Sequence, residues 1–138
     1  AWTALADDPG LIPGAIEEIL RFRPSVVAWR RLARQRIDIS GVSIPAGDKV
    51  LCFLASANRD EDVFEDADQF RIARSPNRHL GFGVGEHFCL GANLARQEIR
   101  LIFHALADLA PDISRLAEPS RLRHSWVNGI KDLQVSYS

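Results

Sequence analysis

One segment constrains this chain more than any other: Phe82-Gly83-Val84-Gly85-Glu86-His87-Phe88-Cys89-Leu90-Gly91, which sets a cysteine in a glycine-punctuated loop just ahead of a helical pattern, Ala92 to Ala107. A cysteine before a helix N-terminus meets outward-pointing backbone N–H groups and about half a positive charge from the helix macrodipole. Such a field favours thiolate over thiol. A thiolate held this way is a strong electron donor to a metal. Gly83 and Gly85 admit backbone angles that side chains forbid, so the loop can fold tightly beneath a flat group. Gly91 lets the helix backbone approach the same group closely.

The pattern Phe-x-x-Gly-x-His-x-Cys-x-Gly is filled at its fixed positions by Phe82, Gly85, His87, Cys89 and Gly91. It resembles the haem-binding loop of the cytochrome P-450 monooxygenases. The resemblance implies that Cys89 is the proximal ligand of the iron in haem b (iron protoporphyrin IX), where a thiolate pushes electron density toward O–O cleavage. It also implies that Phe82 shields the sulfur, that Gly83 and Gly91 make room for the macrocycle, and that His87 donates to a haem propionate. The plainer alternative is a buried structural cysteine before a core helix, since free Cys packs as a small hydrophobe. The five matched positions, Cys89 among them, weigh against it.

A second signature lies upstream. Ala15-Ile16-Glu17-Glu18-Ile19-Leu20-Arg21 reads as an amphipathic helix, with Pro13 near its start and Pro24 just past its end. Glu18 and Arg21 are three apart and lie on one helical face. By itself such a pair is an ordinary surface bridge. Ahead of the cysteine loop it resembles the family's buried Glu-x-x-Arg pair, which fixes the core under the haem. The family usually completes this network with an arginine directly before a phenylalanine. Here Gln69 precedes Phe70, so Arg71 or Arg74 must complete it, or the network is weaker than usual.

Further residues follow from the same resemblance. Arg31 matches an arginine that leaves the first strand to pair with a haem propionate, with Arg30 on the opposite face of an extended segment. His79 resembles another propionate contact. Ser25-Val26-Val27-Ala28 and the hairpin tip Ser125-Trp126-Val127-Asn128 are expected to line a substrate pocket; Val26, Val27, Trp126 and Val127 supply apolar walls suited to a hydrophobic ligand. For Val26, ordinary core packing is an equal alternative. His104 is too far along the helix to reach the haem, and Cys52, in an apparently buried strand, has no assigned role.

Composition closes off other classes. The 138 residues are 46% hydrophobic and 25% charged, with a net charge of −1, a globular balance with no bulk attraction for nucleic acid. The arginines between Arg21 and Arg36 carry no recognition motif. No apolar run approaches the ~20 residues of a membrane span. Two cysteines, without paired spacing, fit free thiols in a reducing compartment, hence a cytoplasmic protein. The chain lacks methionine altogether. Residues 1–138 are therefore expected to be the C-terminal haem-binding portion of a longer single domain.

Along the chain, Ala1 to Ala6 reads as a helix end and Ile12 to Phe22 as the Glu-x-x-Arg helix. An apolar run from Val26, a hairpin over Ile37 to Ile44 and a strand from Val50 to Leu54 make a small β region. Ala55 to Asp60 resembles the family's short helix and following loop. Glu61 to Arg78 has no sustained period and reads as an irregular meander. On the helix after the cysteine, Leu94, Ile99, Ile102, Phe103, Leu106 and Leu109 form an apolar stripe, the mark of a core element. From Pro111 onward a β hairpin and a final strand, Leu133 to Tyr137, are expected. The fold class is mainly α with small β-sheets, the C-terminal part of the cytochrome P-450 fold.

The resemblance implies a monooxygenase that activates O2 at thiolate-ligated iron and hydroxylates a hydrophobic small molecule, with electrons from a ferredoxin-type donor. The strings Ala92-Asn93-Leu94-Ala95-Arg96 and Arg121 to Lys131 resemble bacterial hydroxylases of steroid side chains and methyl-branched lipids. The family's distal oxygen-activating helix has no counterpart here, so the fragment alone is expected to be inactive. A haem-thiolate gas or redox sensor would share Cys89 and need no substrate pocket. A cysteine hydrolase with His87 as base ranks last, because residues two apart in a loop rarely align as nucleophile and base.

Overall fold

The computed structural model describes residues 2–138. The first helix, α1 (Trp2–Asp7), covers the expected N-terminal helical piece; Ala1 lies outside the described residues. Asp8 comes directly after it and caps a single 3-10 turn, Pro9–Leu11, its carboxylate accepting the Gly10 N–H at 2.9 Å. The turn leads into α2 (Ile12–Phe22). Ile12, Ala15, Ile16 and Leu20 fall at helical spacing and are buried along one face. Each large aliphatic side chain so buried contributes about 1.5–3 kcal/mol. The helix stops at Arg23, which Pro24 pushes out of the helical region (φ −137°).

Among the described residues, four two-stranded antiparallel sheets make up the β structure. The strand β1 (Ala28–Leu32) pairs with β4 (Lys49–Phe53), aligning Trp29 with Cys52 and Arg31 with Val50. Inside that pair sits the expected hairpin, β2 (Ile37–Ile39) and β3 (Val42–Ile44). Its Ser40–Gly41 tip has both φ values positive, 49° and 81°, the geometry that matches a two-residue turn to strand twist. A short helix, α3 (Leu54–Ala57), ends at Asn58. From there to Leu90 the chain runs without helix or strand apart from one 3-10 turn, Gly85–His87. The C-terminal part forms β5 (Ser114–Arg115), β6 (Ser120–Arg121), β7 (Ile130–Asp132) and β8 (Val135–Ser136), with β6–β7 nested inside β5–β8.

The core is the contact between α2 and α4 (Ala92–Leu109), with Leu5 completing the buried cluster and Trp2, Ile72, Phe82, Ile99 and Phe103 packed around it. Trp2 meets Phe103 edge to face at 6.0 Å and donates its indole N–H to the Pro111 carbonyl at 3.1 Å.

Two expectations need correction. The expected apolar stripe of α4 is really two stripes. Ile99 and Phe103 pack on the core around α2 and Leu106 is partly buried, whereas Leu94, Ile102 and Leu109 are 60%, 55% and 77% exposed. At 100° per residue one helix neighbour covers only one of the two, and among the described residues nothing packs on the other. Cys52 is exposed, because the β1–β4 sheet has only two strands and leaves its outer face open.

Candidate functional site

The cysteine loop rests on a buried ionic hub. Glu18 and Arg21 are both fully buried and form a two-point pair, Nε to Oε2 and Nη2 to Oε1, each at 2.8 Å. Arg21 spends its remaining donors on carbonyls of the meander: Nη1 on Asn58 (2.8 Å) and Ala67 (2.7 Å), Nη2 on Gln69 (2.9 Å). Glu18 also accepts from the Arg71 backbone N–H at 2.8 Å, the Arg74 Nε at 3.2 Å and the Asn77 amide at 3.1 Å. Arg74 is thus the side chain that completes the network, while Arg71 contributes its backbone. Gln69 takes part through its carbonyl rather than its side chain. Burial alone pushes the Glu18 carboxyl up; the hydrogen bonds from Arg21, the Arg71 N–H and Arg74 outweigh it and hold the carboxyl below its ordinary value.

Asn58, also fully buried, ties this hub to the loop. Its Nδ2 donates to the Arg21 carbonyl at 3.2 Å, and its Oδ1 accepts the Leu80 N–H at 2.7 Å. The Leu80 carbonyl then accepts from Gly83 N–H at 2.8 Å, and the Phe82 carbonyl from Cys89 N–H at 2.9 Å. The loop closes on itself as the sequence demands: Gly83 and Gly85 have φ of +77° and +74°, left-handed values that side chains resist. Gly91 is the N-cap residue of α4, and a Cβ placed on it would enter open space. Cys89 therefore sits just outside the N-terminus of an eighteen-residue helix, with its carbonyl accepting the Ala92 N–H at 3.2 Å.

A cavity of about 670 Å³ opens above this loop. One wall is the loop itself, with Phe82, Gly83, His87, Phe88 and Cys89; the other is Ser25, Val26, Trp29 and Arg31 from the start of the β region. The structure so brings together Cys89, Phe82, Gly83, His87, Arg31 and Val26. Phe82 packs against Phe88 at 6.3 Å. The Arg31 guanidinium lies 5.8 Å from the Trp29 ring centroid. Val27, Trp126 and Val127 lie one layer back. Val27 N–H donates to the Trp126 carbonyl at 2.9 Å, Val26 bridges Val127, and Trp126 meets Trp29 edge to face at 5.2 Å. Trp29, which stacks on that layer and faces the cavity, was not marked by any sequence motif.

His79 is placed differently from the expectation. It does not line the cavity; its side chain is 3% exposed and both ring nitrogens are engaged. Gly81 N–H donates to Nδ1 at 3.0 Å, so Nδ1 carries no proton and Nε2 donates its own to Glu17, at 3.0 Å. Glu17 also binds Arg96 of α4 at two points, 2.6 and 2.8 Å. The Arg96 bond, aided by His79, outweighs burial and holds the Glu17 carboxyl below its ordinary range. Burial pushes the His79 pKa down, against the pull of Glu17. Glu17, Arg96 and Asn58 carried no sequence signal: two adjacent glutamates on one helix do not reveal that each serves a different partner.

Comparison with known proteins is consistent across sequence and structure. A family profile described as Cytochrome P450 matches residues 10–107. The chain is 52% identical over 122 residues to a steroid C26-monooxygenase of Rhodococcus jostii, covering 88% of this chain and 26% of that protein. It is 50% identical over 134 residues to a methyl-branched lipid omega-hydroxylase of Mycobacterium bovis, covering 96% of this chain and 31% of that one. Among solved structures, the testosterone complex of CYP109E1 from Bacillus megaterium superposes with a TM-score of 0.95 at 37% identity, over 99% of this chain and 38% of that one. The CYP116B5 heme domain of Acinetobacter radioresistens gives 0.96 at 40%, over 99% and 34%. The chain thus spans about a quarter to a third of the length of these curated relatives.

Proposed function

We propose, for a chain that belongs to the cytochrome P450 family, that it supplies the haem-thiolate portion of a single larger domain that hydroxylates a hydrophobic substrate. The observation that carries this is the cavity itself: a cysteine on a left-handed glycine loop at one wall, an arginine from the opposite strand at the other, and mostly apolar lining between. The family's cofactor is haem, and the residues present fit it. One sulfur is available as an iron ligand, the Arg31 guanidinium and the His87 imidazole suit two carboxylates, and Gly83 lines the cavity without bringing a side chain into the space a flat ring would take.

When bound, haem supplies the activation of O2, one atom entering a C–H bond and the other leaving as water with two electrons and two protons. Cys89, just ahead of the N-terminus of α4, would offer its sulfur as the ligand to the iron. Phe82, held edge to face by Phe88, would be the apolar shield of the sulfur. Arg31 and His87, both on the cavity wall, would hold the propionates and so orient the ring. Val26 and Trp29, backed by Val27, Trp126 and Val127, form the apolar wall that receives substrate. The named steroid and lipid substrates of the relatives, with this lining, point to a sterol or branched lipid. Electrons come from a ferredoxin-type carrier. No helix among the described residues is long and apolar enough to cross a membrane.

The test is made in the full-length protein. Cys89→Ser should abolish the red-shifted ferrous–CO Soret band, since a serine hydroxyl is a far poorer iron ligand, and Cys52→Ser should leave it intact. Product formation with an electron donor then separates a monooxygenase from a haem-thiolate sensor. A normal shifted band in the Cys89 variant would overturn the assignment.

A further inference from the structure

We infer that Glu17, His79 and Arg96 form a positioning clamp that fixes the cysteine loop at both of its ends and thereby sets the direction of the Cys89 sulfur. The inference rests on the haem-thiolate function proposed above and adds residues to that site.

The geometry is that of a bracket. The loop enters from His79 and leaves through Gly91 into α4. On the entry side, His79 Nδ1 accepts the Gly81 N–H at 3.0 Å. Gly81 packs closely on α2, where a Cβ would stand 2.8 Å from the Leu20 carbonyl. On the exit side, Arg96 lies one to two turns into α4, seven residues past Cys89, and its fork closes on Glu17. Glu17 belongs to α2, so one carboxylate on the core helix grips both ends. Oε2 receives His79 at 3.0 Å and the Arg96 Nη2 at 2.8 Å. The Arg96 guanidinium also covers the Phe82 ring, 4.7 Å from its centroid, and the Phe82 carbonyl holds the Cys89 N–H. Force on the clamp therefore reaches the cysteine by both the backbone and the aromatic contact.

Neighbouring charges do not offer an equivalent hold. Glu18 is committed to Arg21, Arg74, the Arg71 N–H and Asn77 on the other side of α2. The clamp is separate from that hub and acts on the loop rather than the meander. None of its members lines the cavity, so they are positioning residues.

The test uses the full-length holoprotein and three variants: Glu17→Gln, Arg96→Lys and His79→Asn. Arg96→Lys keeps the charge but loses the fork. His79→Asn keeps an acceptor for Gly81 N–H but does not reach Glu17. Expected for Arg96→Lys and Glu17→Gln, at unchanged haem content, is a mixed ferrous–CO spectrum with part of the red-shifted band lost, and a ferric–ferrous midpoint potential moved upward as the sulfur donates less. His79→Asn should show a smaller change of the same sign. Variants that melt earlier yet keep the parental band and potential would reduce the cluster to a structural brace and overturn the inference. If Glu17→Gln fails to load haem, the milder Arg96→Lys decides by the same criterion. A parent protein with no red-shifted band would instead refute the haem-thiolate function itself.

Discussion

Replacing Glu18 with alanine isolates what the buried hub contributes. Glu18 and Arg21 have no exposed side-chain surface, so the substitution leaves a guanidinium in the interior without its counter-charge. Breaking such a pair costs about 3–5 kcal/mol. The Arg71 N–H and the Asn77 amide lose their acceptor as well, and each stranded donor adds about 1–3 kcal/mol where water cannot follow. Arg21 keeps its three carbonyls, and Arg74 keeps those of Glu65, Asp66 and Gln69, which limits the total. The expected loss, at least about 3 kcal/mol, is a large part of the ~5–15 kcal/mol that holds a domain folded. An internal control exists: Arg115–Glu118 has the same spacing but is 53% and 83% exposed. Glu118→Ala should therefore change stability by less than about 1 kcal/mol. Denaturant midpoints of the full-length protein, with soluble haem-loaded yield alongside, measure both. Equal small losses at the two sites would refute the reasoning, since burial would then not govern the value of the pair.

Acidification should weaken the fold in two stages. His79 has its pKa pushed down by burial from an ordinary 6.5, and Glu17 is lowered from 4.5 chiefly by Arg96. In both cases the unfolded chain binds the proton more readily, so the stabilisation is present above those ordinary values and is lost as pH falls below them. His79→Gln should flatten the upper stage, which sets in as pH falls below the ordinary histidine value of about 6.5, in denaturant midpoints taken against pH; a parent profile flat just on the acid side of that value would contradict the assignment of a neutral His79. Trp126→Ala removes the edge-to-face partner of Trp29 and should weaken sterol binding, read as the low-spin to high-spin shift, while leaving the ferrous–CO band unchanged. A response to small polar aromatics alone would contradict the lipid preference.

The cysteine loop and the Glu-x-x-Arg helix were legible in the sequence because their chemistry is local. Positive-φ glycines and a pair three residues apart are written in adjacent letters. The hairpin at Ser40–Gly41 was legible for the same reason. The site's supporting contacts were not, because they join residues far apart in the chain. His79 looked like a ligand contact from its place before the loop, yet its ring turns to Glu17, 62 residues earlier. Asn58 gave no sign that its amide would span Arg21 and Leu80. The exposed apolar stripe of α4 was misjudged because periodicity reports which residues are apolar, and not how many neighbours a helix has.

The hub also dictates an order of assembly. Arg21 sits on a helix that can form locally, but every carbonyl that accepts from its outer nitrogens lies 37 to 48 residues downstream. The guanidinium cannot leave water until that long loop has closed, and closing it costs entropy before any bond rewards the chain. Docking the inner flank of α2 should therefore be a late, rate-limiting event, with residues 58–80 condensing around the arginine in one step rather than element by element.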